Sequence, residues 1–321
     1  MAKERSQKVT AQMRANAVAN AQKFDWAKKE RDGIVKRAAP ILEMSDQRLW
    51  ELVPSQELPR TIHVQLLAGN NRVSSCPNCG PILRYGNYPW VCDAEKLPWK
   101  IKCPNCGVVY PKNDFGAYYQ SALDKHGFFR RGAGDPKLLF NTEHPDPADP
   151  LHKAWADDGY GYDDPQTGRW DFIAYYVQWG LWPYIQSLVT SAAAAYCVTG
   201  DPRYAHKVGV LLSRIADVYP DMDWAPLAKL NFSHSDGGAG AGRIGGQIWE
   251  TGVALAYSLA YDQVYDAISR DSALAIFLDQ QARKHDLSPL PDPAAVCRHI
   301  EENLLLEFLS LIHISEPTRP Y

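Results

Sequence analysis

Four cysteines in two identical pentapeptides are the residues of this sequence best suited to chemistry. The string CPNCG occupies residues 76–80 and again residues 103–107. In each copy two residues separate the thiols, so one tight turn can present both sulfurs to a single metal ion. Two such turns complete the tetrahedral four-thiolate shell that structural zinc prefers. The sequence therefore predicts a zinc site whose ligands are Cys76, Cys79, Cys103 and Cys106.

A shell of four thiolates is closed, and this predicts a structural rather than a catalytic metal, because no position remains for water or substrate. Gly80 and Gly107 follow the second cysteine of each copy, where a turn with positive φ lets backbone N–H groups approach the sulfurs. Cys92 lies between the two pairs and is a candidate spare ligand. Cys197 and Cys297 fall in helical patterns, where a free cysteine is usually a small buried side chain. The odd total of seven cysteines argues against a fold built on disulfides.

A second group of candidate residues surrounds a glycine-rich segment, residues 234–250. Its GAGRIG string has the form G-x-G-x-x-G, but the polar KLNFSHSDGG precedes it where a dinucleotide site requires a strand. A flexible loop that opens a helix is the better interpretation, and a helix N-terminus can hold an anionic sugar. The predicted substrate-binding residues of this segment are His234, Arg243, Gln247, Trp249 and Glu250.

Tyr176 is a further substrate-binding candidate, because the stretch WDFIAYYVQWGLWPY could supply aromatic platforms for sugar stacking. Ordinary structural roles compete with each of these interpretations. Most of the aromatic rings are expected in the helix-packing core. Structural polar pairing is equally compatible with Gln247 and Glu250, and an exposed loop position is the usual role of a histidine such as His234.

Helices are the main elements that must position these side chains. Residues 8–52 are expected to be helical, and WKIK and VVY around the second CPNCG predict the strands of a zinc ribbon. Residues 112–168 are rich in Asp, Gly and Pro and have little periodicity. Further helices are predicted at residues 172–198, from 202, and at 245–267, 272–284 and 293–308, with Asp201-Pro202 and Asp292-Pro293 as N-terminal caps. Short turns between long helices indicate antiparallel pairs, so a bundle, a solenoid and an α/α toroid all remain open.

The composition is that of a globular protein without a strong overall charge. Of 321 residues, 45% are hydrophobic, and 34 basic side chains stand against 37 acidic ones. This balance gives no reason to expect nucleic acid or a membrane as a partner. No apolar run reaches the ~18 residues of a membrane span. The start, MAKERSQKVTAQ, lacks the apolar core of a secretory signal.

Several of these motifs, taken together, resemble the heparinase II/III-like polysaccharide lyases. The resemblance covers residues 46–308 and is carried by WKIKCPNCGVVYPKNDFGAYYQSALD, AYCVTGDPRYAHKVGVLLSRIADVYPDMD and GRIGGQIWET with the later LAYDQVYD. It implies an incomplete α/α toroid, followed in full-length members by an antiparallel β-sandwich. It also implies eliminative cleavage of uronic-acid-containing polysaccharides, an acidic polysaccharide or oligosaccharide as partner, and a periplasmic or secreted location.

The C-terminal sequence departs from this family. Family members continue the helix that matches EENLLLEF into a segment with a catalytic Asn and His, whereas here SLIHISEPTRPY follows. That ending resembles translated sequencing-adapter DNA, and LIHIS around His313 does not match the family histidine. We therefore expect the catalytic Asn, His and Tyr to lie beyond Phe308 and this chain to be an inactive fragment.

The predicted fold is mostly α: an incomplete α/α toroid of antiparallel helix hairpins with a small four-cysteine zinc-ribbon insertion. The expected domains are an N-terminal helical segment (1–60), the zinc ribbon (61–112), the toroid portion (113–308) and a non-native tail (309–321). One alternative is a glycoside hydrolase on the same scaffold, with Glu250 and one acid of residues 157–164 as its carboxylates. Another is a ribbon that binds nucleic acid through Lys96, Lys100, Lys102 and Lys112, although a basic face is missing. The sequence indicates no oligomeric state.

Overall fold

The protein is mostly helical, with small antiparallel sheets, as the sequence predicts. A computed structural model describes residues 3–235, 242–246 and 248–309. It divides into two compact units, each assembled from separated stretches of chain. The first unit comprises Met1–Val53, Ile185–Asp221 and Trp249–Tyr321, and the second comprises Pro54–Tyr184 and Met222–Ile248. Across the described residues, no helix has both the length and the apolar character that crossing a membrane requires.

Along the part of the chain that the structure describes, three α-helices precede the short strands, one lies between the seventh and eighth strands, and the remaining α-helices follow the ninth. In chain order the helices are α1 (Ala11–Lys23), α2 (Asp25–Leu42), α3 (Asp46–Leu52), α4 (Phe115–Ser121), α5 (Phe172–Tyr176), α6 (Trp182–Thr199), α7 (Pro202–Val218), α8 (Trp224–Lys229), α9 (Glu250–Ile268), α10 (Ser272–Lys284) and α11 (Pro293–Ile300). The strands are β1 (Gln65–Leu66), β2 (Arg72–Val73), β3 (Ser75–Cys76), β4 (Gly80–Pro81), β5 (Val91–Cys92), β6 (Ile101–Lys102), β7 (Val109–Tyr110), β8 (Tyr162–Asp164) and β9 (Gly168–Trp170). A π-helical turn, Val177–Leu181, joins α5 to α6, and another, Glu301–Leu305, follows α11.

The helix ends confirm the predicted capping residues. The Asp201 carboxylate accepts a hydrogen bond from the backbone N–H of Arg203, and α7 begins at Pro202. At the start of α11 the Asp292 carboxylate accepts from the N–H of Ala295 in the same way. Each aspartate satisfies an N–H group of the first turn, which has no acceptor within its own helix.

Helix α7 forms the centre of the first unit. Its side chains Val208, Leu211 and Ile215 are fully buried, and it packs against α2, α3, α9, α10 and α11. A Cβ atom at residue 209 would lie 2.5 Å from Cδ2 of Leu274, so glycine at this position allows α7 and α10 to approach closely. The apolar side chains that recur along this helix therefore form its buried face.

Three small antiparallel sheets lie in the second unit. One has the strand order β2-β1-β9-β8, in which Gln65 pairs with Val73 on one side and with Trp170 on the other. Another consists of β3 and β4, and the third has the order β5-β6-β7. A cluster of buried apolar side chains, with Tyr160 packed against it, comprises Ala174, Trp224, Leu227 and Phe232.

A buried aspartate organises the irregular segment of residues 112–168. The Asp157 carboxylate accepts hydrogen bonds from the N–H groups of Gly159 (2.7 Å), Gly161 (3.0 Å) and Ile173 (3.0 Å). The Asn113 side chain donates to the carbonyl of Asp157 and accepts from its N–H. These contacts supply partners for backbone groups that no helix or sheet satisfies. Aspartate and asparagine side chains therefore stabilise the turns of this Asp- and Gly-rich segment, and these contacts lie inside the unit.

Candidate metal centre and substrate-binding residues

Each CPNCG copy forms a turn between antiparallel strands. The first turn connects β3 to β4, with Cys76 paired to Gly80, and the second lies between β6 and β7. Gly80 and Gly107 both have φ of 76°, the left-handed conformation predicted for them. The strands predicted from WKIK and VVY are present as β6 and β7, so the ribbon is folded as the sequence indicates.

The four cysteines of these turns form one cluster. All four sulfur atoms lie within 4.8 Å of one another. The sulfurs of Cys76 and Cys106 are 3.8 Å apart, and those of Cys79 and Cys103 are 3.7 Å apart. A tetrahedral shell with zinc–sulfur bonds of about 2.3 Å has edges of about 3.8 Å. The sulfur positions therefore fit a tetrahedral metal site.

Hydrogen-bond donors surround the sulfurs. The Asn105 amide donates to the sulfur of Cys79 over 3.2 Å. Burial opposes ionisation of Cys106, but donors that include the Val108 N–H and the Asn78 side chain lower the pKa of this thiol to about 6. Burial raises the pKa of the Cys76 thiol. Because metal ligands must be thiolates, a bound cation would supply the charge that keeps this buried sulfur ionised.

Cys92 is not part of the four-sulfur cluster found among the described residues. It lies beside Gly180, where an added Cβ atom would be 2.9 Å from Cβ of Cys92. Burial raises the pKa of the Cys92 thiol to about 12, so the group stays protonated. Cys197 and Cys297 are buried in helices, as expected.

In the second unit, His234 and Arg243 are the candidates from the glycine-rich segment. His234 is only 4% exposed, and its ring lies edge-to-face with the Trp224 indole at 5.0 Å. The expectation of an exposed loop histidine is therefore wrong, and burial lowers the pKa of the imidazole. Arg243 is half-buried. Gln247 lies outside the described residues.

In the first unit, Trp249 and Glu250 lie at the start of α9. This helix begins at Glu250 rather than at residue 245 as predicted. The Trp249 side chain is 58% exposed. Glu250 is buried and accepts a hydrogen bond of 2.7 Å from the Tyr219 hydroxyl. Glu250 thus has the structural polar pairing that the sequence left open.

Tyr176 has no exposed ring face to offer a sugar. Its side chain is 1% exposed and lies 5.6 Å from the Trp99 ring. Sequence reasoning did not identify Tyr88, whose ring stacks on that of Trp179 at 4.5 Å. The available signal was the motif GNYPW between the two cysteine pairs, which places a tyrosine in a turn-rich loop.

The Tyr88 side chain lines an open cavity of about 600 Å³ in the second unit. This volume is within the ~300–1,000 Å³ typical of small-ligand sites. The chain matches no protein-family profile, no curated protein and no solved structure. What these sites bind must therefore be inferred from their own residues.

Proposed function

We propose that this chain belongs to the heparinase II/III-like polysaccharide lyases and serves in glycan binding, and that its four cysteines bind one structural zinc ion. The observation that carries this proposal is the four-sulfur cluster at tetrahedral distances, followed directly by the YPKNDF segment of the resemblance. The substrate would be an acidic polysaccharide or oligosaccharide. The helix hairpins would form the incomplete α/α toroid of that family.

Zinc would be held by Cys76, Cys79, Cys103 and Cys106 and would support the fold without taking part in the reaction. We expect about one zinc ion per purified chain in a metal analysis. A Cys103→Ser variant should lose the ion, whereas Cys197→Ser, which changes a buried cysteine outside the cluster, should retain it. A folded wild-type protein without metal would contradict this part of the proposal.

Elimination at a uronic acid requires three contributions from the protein. The sugar carboxylate must be neutralised, the proton α to it removed, and the leaving oxygen protonated. The half-buried Arg243 guanidinium is suited to a carboxylate. The exposed Trp249 indole is suited to stacking against a sugar ring. Each is proposed as a separate glycan contact within its own unit, and the proton-transfer groups are not assigned.

Two structural observations weigh against the alternative functions. Glu250, the carboxylate that the glycoside hydrolase alternative requires, is buried and accepts a hydrogen bond from the Tyr219 hydroxyl, and Asp157 is fully buried and bound to three backbone N–H groups. Of the lysines near the ribbon, Lys100 donates to the carbonyls of Pro111 and Asn113, and Lys112 pairs with Glu143. These two ammonium groups are engaged within the unit, so they do not form a basic face for nucleic acid.

Calorimetric binding of a uronic-acid oligosaccharide, with a neutral oligosaccharide of the same length as reference, tests the lyase proposal. We expect the acidic glycan to bind more tightly and Trp249→Ala to weaken it. Equal affinity for both glycans would contradict the proposal. Where turnover is detected, an unsaturated product that absorbs in the ultraviolet supports elimination, and a saturated product supports hydrolysis instead.

A further inference from the structure

The cavity beside the zinc ribbon has a floor made by one face of the β1–β2 pair. His63, Gln65 and Leu67 alternate along the first strand and its flanks, so their side chains share one face of the sheet. Val73 lies opposite Gln65 in the antiparallel register and also lines the cavity. The pairing of β1 with β2 therefore fixes the positions of the side chains that form the floor.

The wall of the cavity is the segment of residues 81–88, which follows the first cysteine turn. Pro81, Leu83, Asn87 and Tyr88 from this segment line the cavity. The N–H of Ile82 donates to the carbonyl of Ser74 over 3.0 Å, and the Ser74 hydroxyl donates to the carbonyl of Asn87 over 2.8 Å. Because β3 and β4 pair across the turn that carries Cys76 and Cys79, the cysteine cluster fixes the start of this wall.

Aromatic and cationic groups meet at the rim. The Tyr88 ring is 37% exposed and is held by stacking on Trp179 at 4.5 Å. Arg72, which is exposed, lies at the edge of the floor, where one N–H of its guanidinium donates to the carbonyl of Asn231 over 3.4 Å. The described side chains that line the cavity include no carboxylate. The rim therefore favours an anion that also has a ring.

The remaining polar groups suit hydroxyls rather than a second charge. Burial, with a further contribution from the positive charge of Arg72, lowers the pKa of His63, so this imidazole is neutral near pH 7. The Gln65 amide is held by a hydrogen bond of 2.7 Å to the carbonyl of Thr167. The Asn87 side chain adds donor and acceptor atoms from the wall. An apolar pocket with a few placed polar groups is the usual form of a small-ligand site.

We propose that this cavity is a binding subsite for a uronic-acid unit of the glycan, with the sugar ring on Tyr88 and its carboxylate on Arg72. A planar guanidinium matches a carboxylate with two parallel N–H donors, and a tyrosine ring offers an apolar face to the C–H side of a sugar. The subsite rests on the proposed function, since it takes the acidic glycan as ligand. It adds a role for the ribbon, because the metal-bound turn anchors one wall of a binding site.

Binding measurements on variants of the full chain test the subsite. The ligand is a short oligosaccharide of galacturonic acid, and affinity is measured by calorimetry. We expect Arg72→Gln to weaken binding roughly tenfold or more, because a charge-assisted contact is lost. Tyr88→Ala should weaken binding by a similar factor and also change the total tryptophan fluorescence, because Trp179 loses its stacking partner. Arg72→Lys should recover part of the affinity, since it keeps the charge but loses the planar donor pair.

The same wall segment provides a matched control. Arg84 and Tyr85 form a second arginine–tyrosine pair, 5.0 Å apart, that does not line the cavity. Both side chains contact Asn105, which donates to the Cys79 sulfur, so the control counts only where the variant keeps the wild-type metal content. Arg84→Gln and Tyr85→Ala should leave the affinity within about twofold of wild type. Metal content and circular dichroism of every variant are compared with wild type, so that a folding defect is recognised.

The possible outcomes separate the subsite from the proposed function. The subsite is supported if wild type binds the oligosaccharide, if Arg72→Gln and Tyr88→Ala each weaken this binding, and if the two control variants do not. Wild-type binding that these variants leave unchanged overturns the subsite and leaves the lyase proposal standing. An absence of binding to wild type overturns the subsite, and the acidic-against-neutral comparison with other uronic-acid glycans then decides the proposed function. If the target variants and the control variants lose affinity equally, the substitutions act by disturbing the fold of the zinc ribbon, and this outcome also overturns the subsite.

Discussion

The two compact units are stabilised in different ways. In the first unit, long helices bury regular apolar stripes around α7, with Leu211 and Ile215 fully enclosed. In the second unit, the strands are two or three residues long, and irregular backbone is held by Asp157, Asn113 and the four-cysteine cluster. Helical hydrogen bonds are local, so the first unit relies mainly on complementary faces, although the Asp262 carboxylate also accepts hydrogen bonds from the N–H groups of Gln7 and Lys8. The second must satisfy its backbone through particular side chains.

This difference predicts how the units respond to substitution. A unit built on distributed apolar contacts should lose stability in moderate steps. A unit that depends on a few polar or metal-binding residues should lose most of its stability when one of them is removed. Hydrogen exchange resolved along the chain can follow each unit separately, which a single unfolding curve of a two-unit chain cannot do.

The largest expected effect comes from the metal site. Cys103→Ser, or removal of the metal by a chelator, should destabilise the second unit by several kcal/mol, because binding energy at a structural zinc site is folding energy. Amides of residues 72–110 should exchange rapidly, while those of α7 and α9 keep their protection. Cys197→Ser serves as the matched control outside the cluster. Equal loss of protection against exchange in both units would contradict the difference proposed between them.

Asp157 is expected to have the next largest effect. Asp157→Ala removes the acceptor for three backbone N–H groups inside the unit and should cost about 4 kcal/mol. Asp157→Asn keeps one acceptor oxygen and should cost about half as much. Burial raises the pKa of this carboxyl to about 7, so a neutral side chain is compatible with the site. Protection of the amides of Gly159, Gly161 and Ile173 against exchange measures the effect, and unchanged protection in the alanine variant would contradict the role assigned to Asp157.

The difference between the units also explains how much the sequence could predict. The helices α7, α10 and α11 begin where Pro202, Ser272 and Pro293 were expected, since caps and periodicity are local signals. The four cysteine ligands were identifiable for the same reason, because their spacing within each turn is short. Both kinds of feature are determined by residues within a few positions of one another.

Features that depend on distant residues were not predictable. The burial of His234 beside Trp224 and the enclosure of Tyr176 by Trp99 depend on which segments meet in the fold. The start of α9 was placed five residues early because apolar spacing extends into the preceding loop. No periodicity marks Tyr88 as the partner of a ring nearly a hundred residues away.

Within the first unit, a core substitution should lower the free energy of unfolding moderately. Leu211→Ala removes a fully buried side chain from α7 and should destabilise the unit by about 3 kcal/mol. Leu255→Ala on α9 changes a leucine that is 62% exposed and should change stability by less than about 0.5 kcal/mol. Hydrogen exchange of the most protected amides of α7 and α9 gives both values. Similar losses for the two variants would show that burial does not determine stability in this unit.

The smallest expected effect concerns an ionic network at the ends of three helices. The imidazole of His206 contacts the Asp271 carboxylate at 2.8 Å and the Asp46 carboxylate at 3.2 Å, and Lys207 also pairs with Asp46. Burial disfavours the charged ring, but the hydrogen bonds to Asp271 and Asp46 outweigh it and raise the pKa of His206 to about 9. In the unfolded chain this pKa returns to its ordinary value of 6.5.

The sign of the pH dependence follows from this shift. Stabilisation by the charged His206 is fully present below about pH 6.5 and is lost as the pH rises through about 9. We expect His206→Gln to lower stability by on the order of 2 kcal/mol at pH 6 and by much less at pH 10. Arg203→Gln is the control, since its pair with Asp201 lies on a side chain that is 72% exposed and should contribute little. A His206→Gln effect that is the same at both pH values would mean that packing, rather than charge, accounts for the role of this side chain.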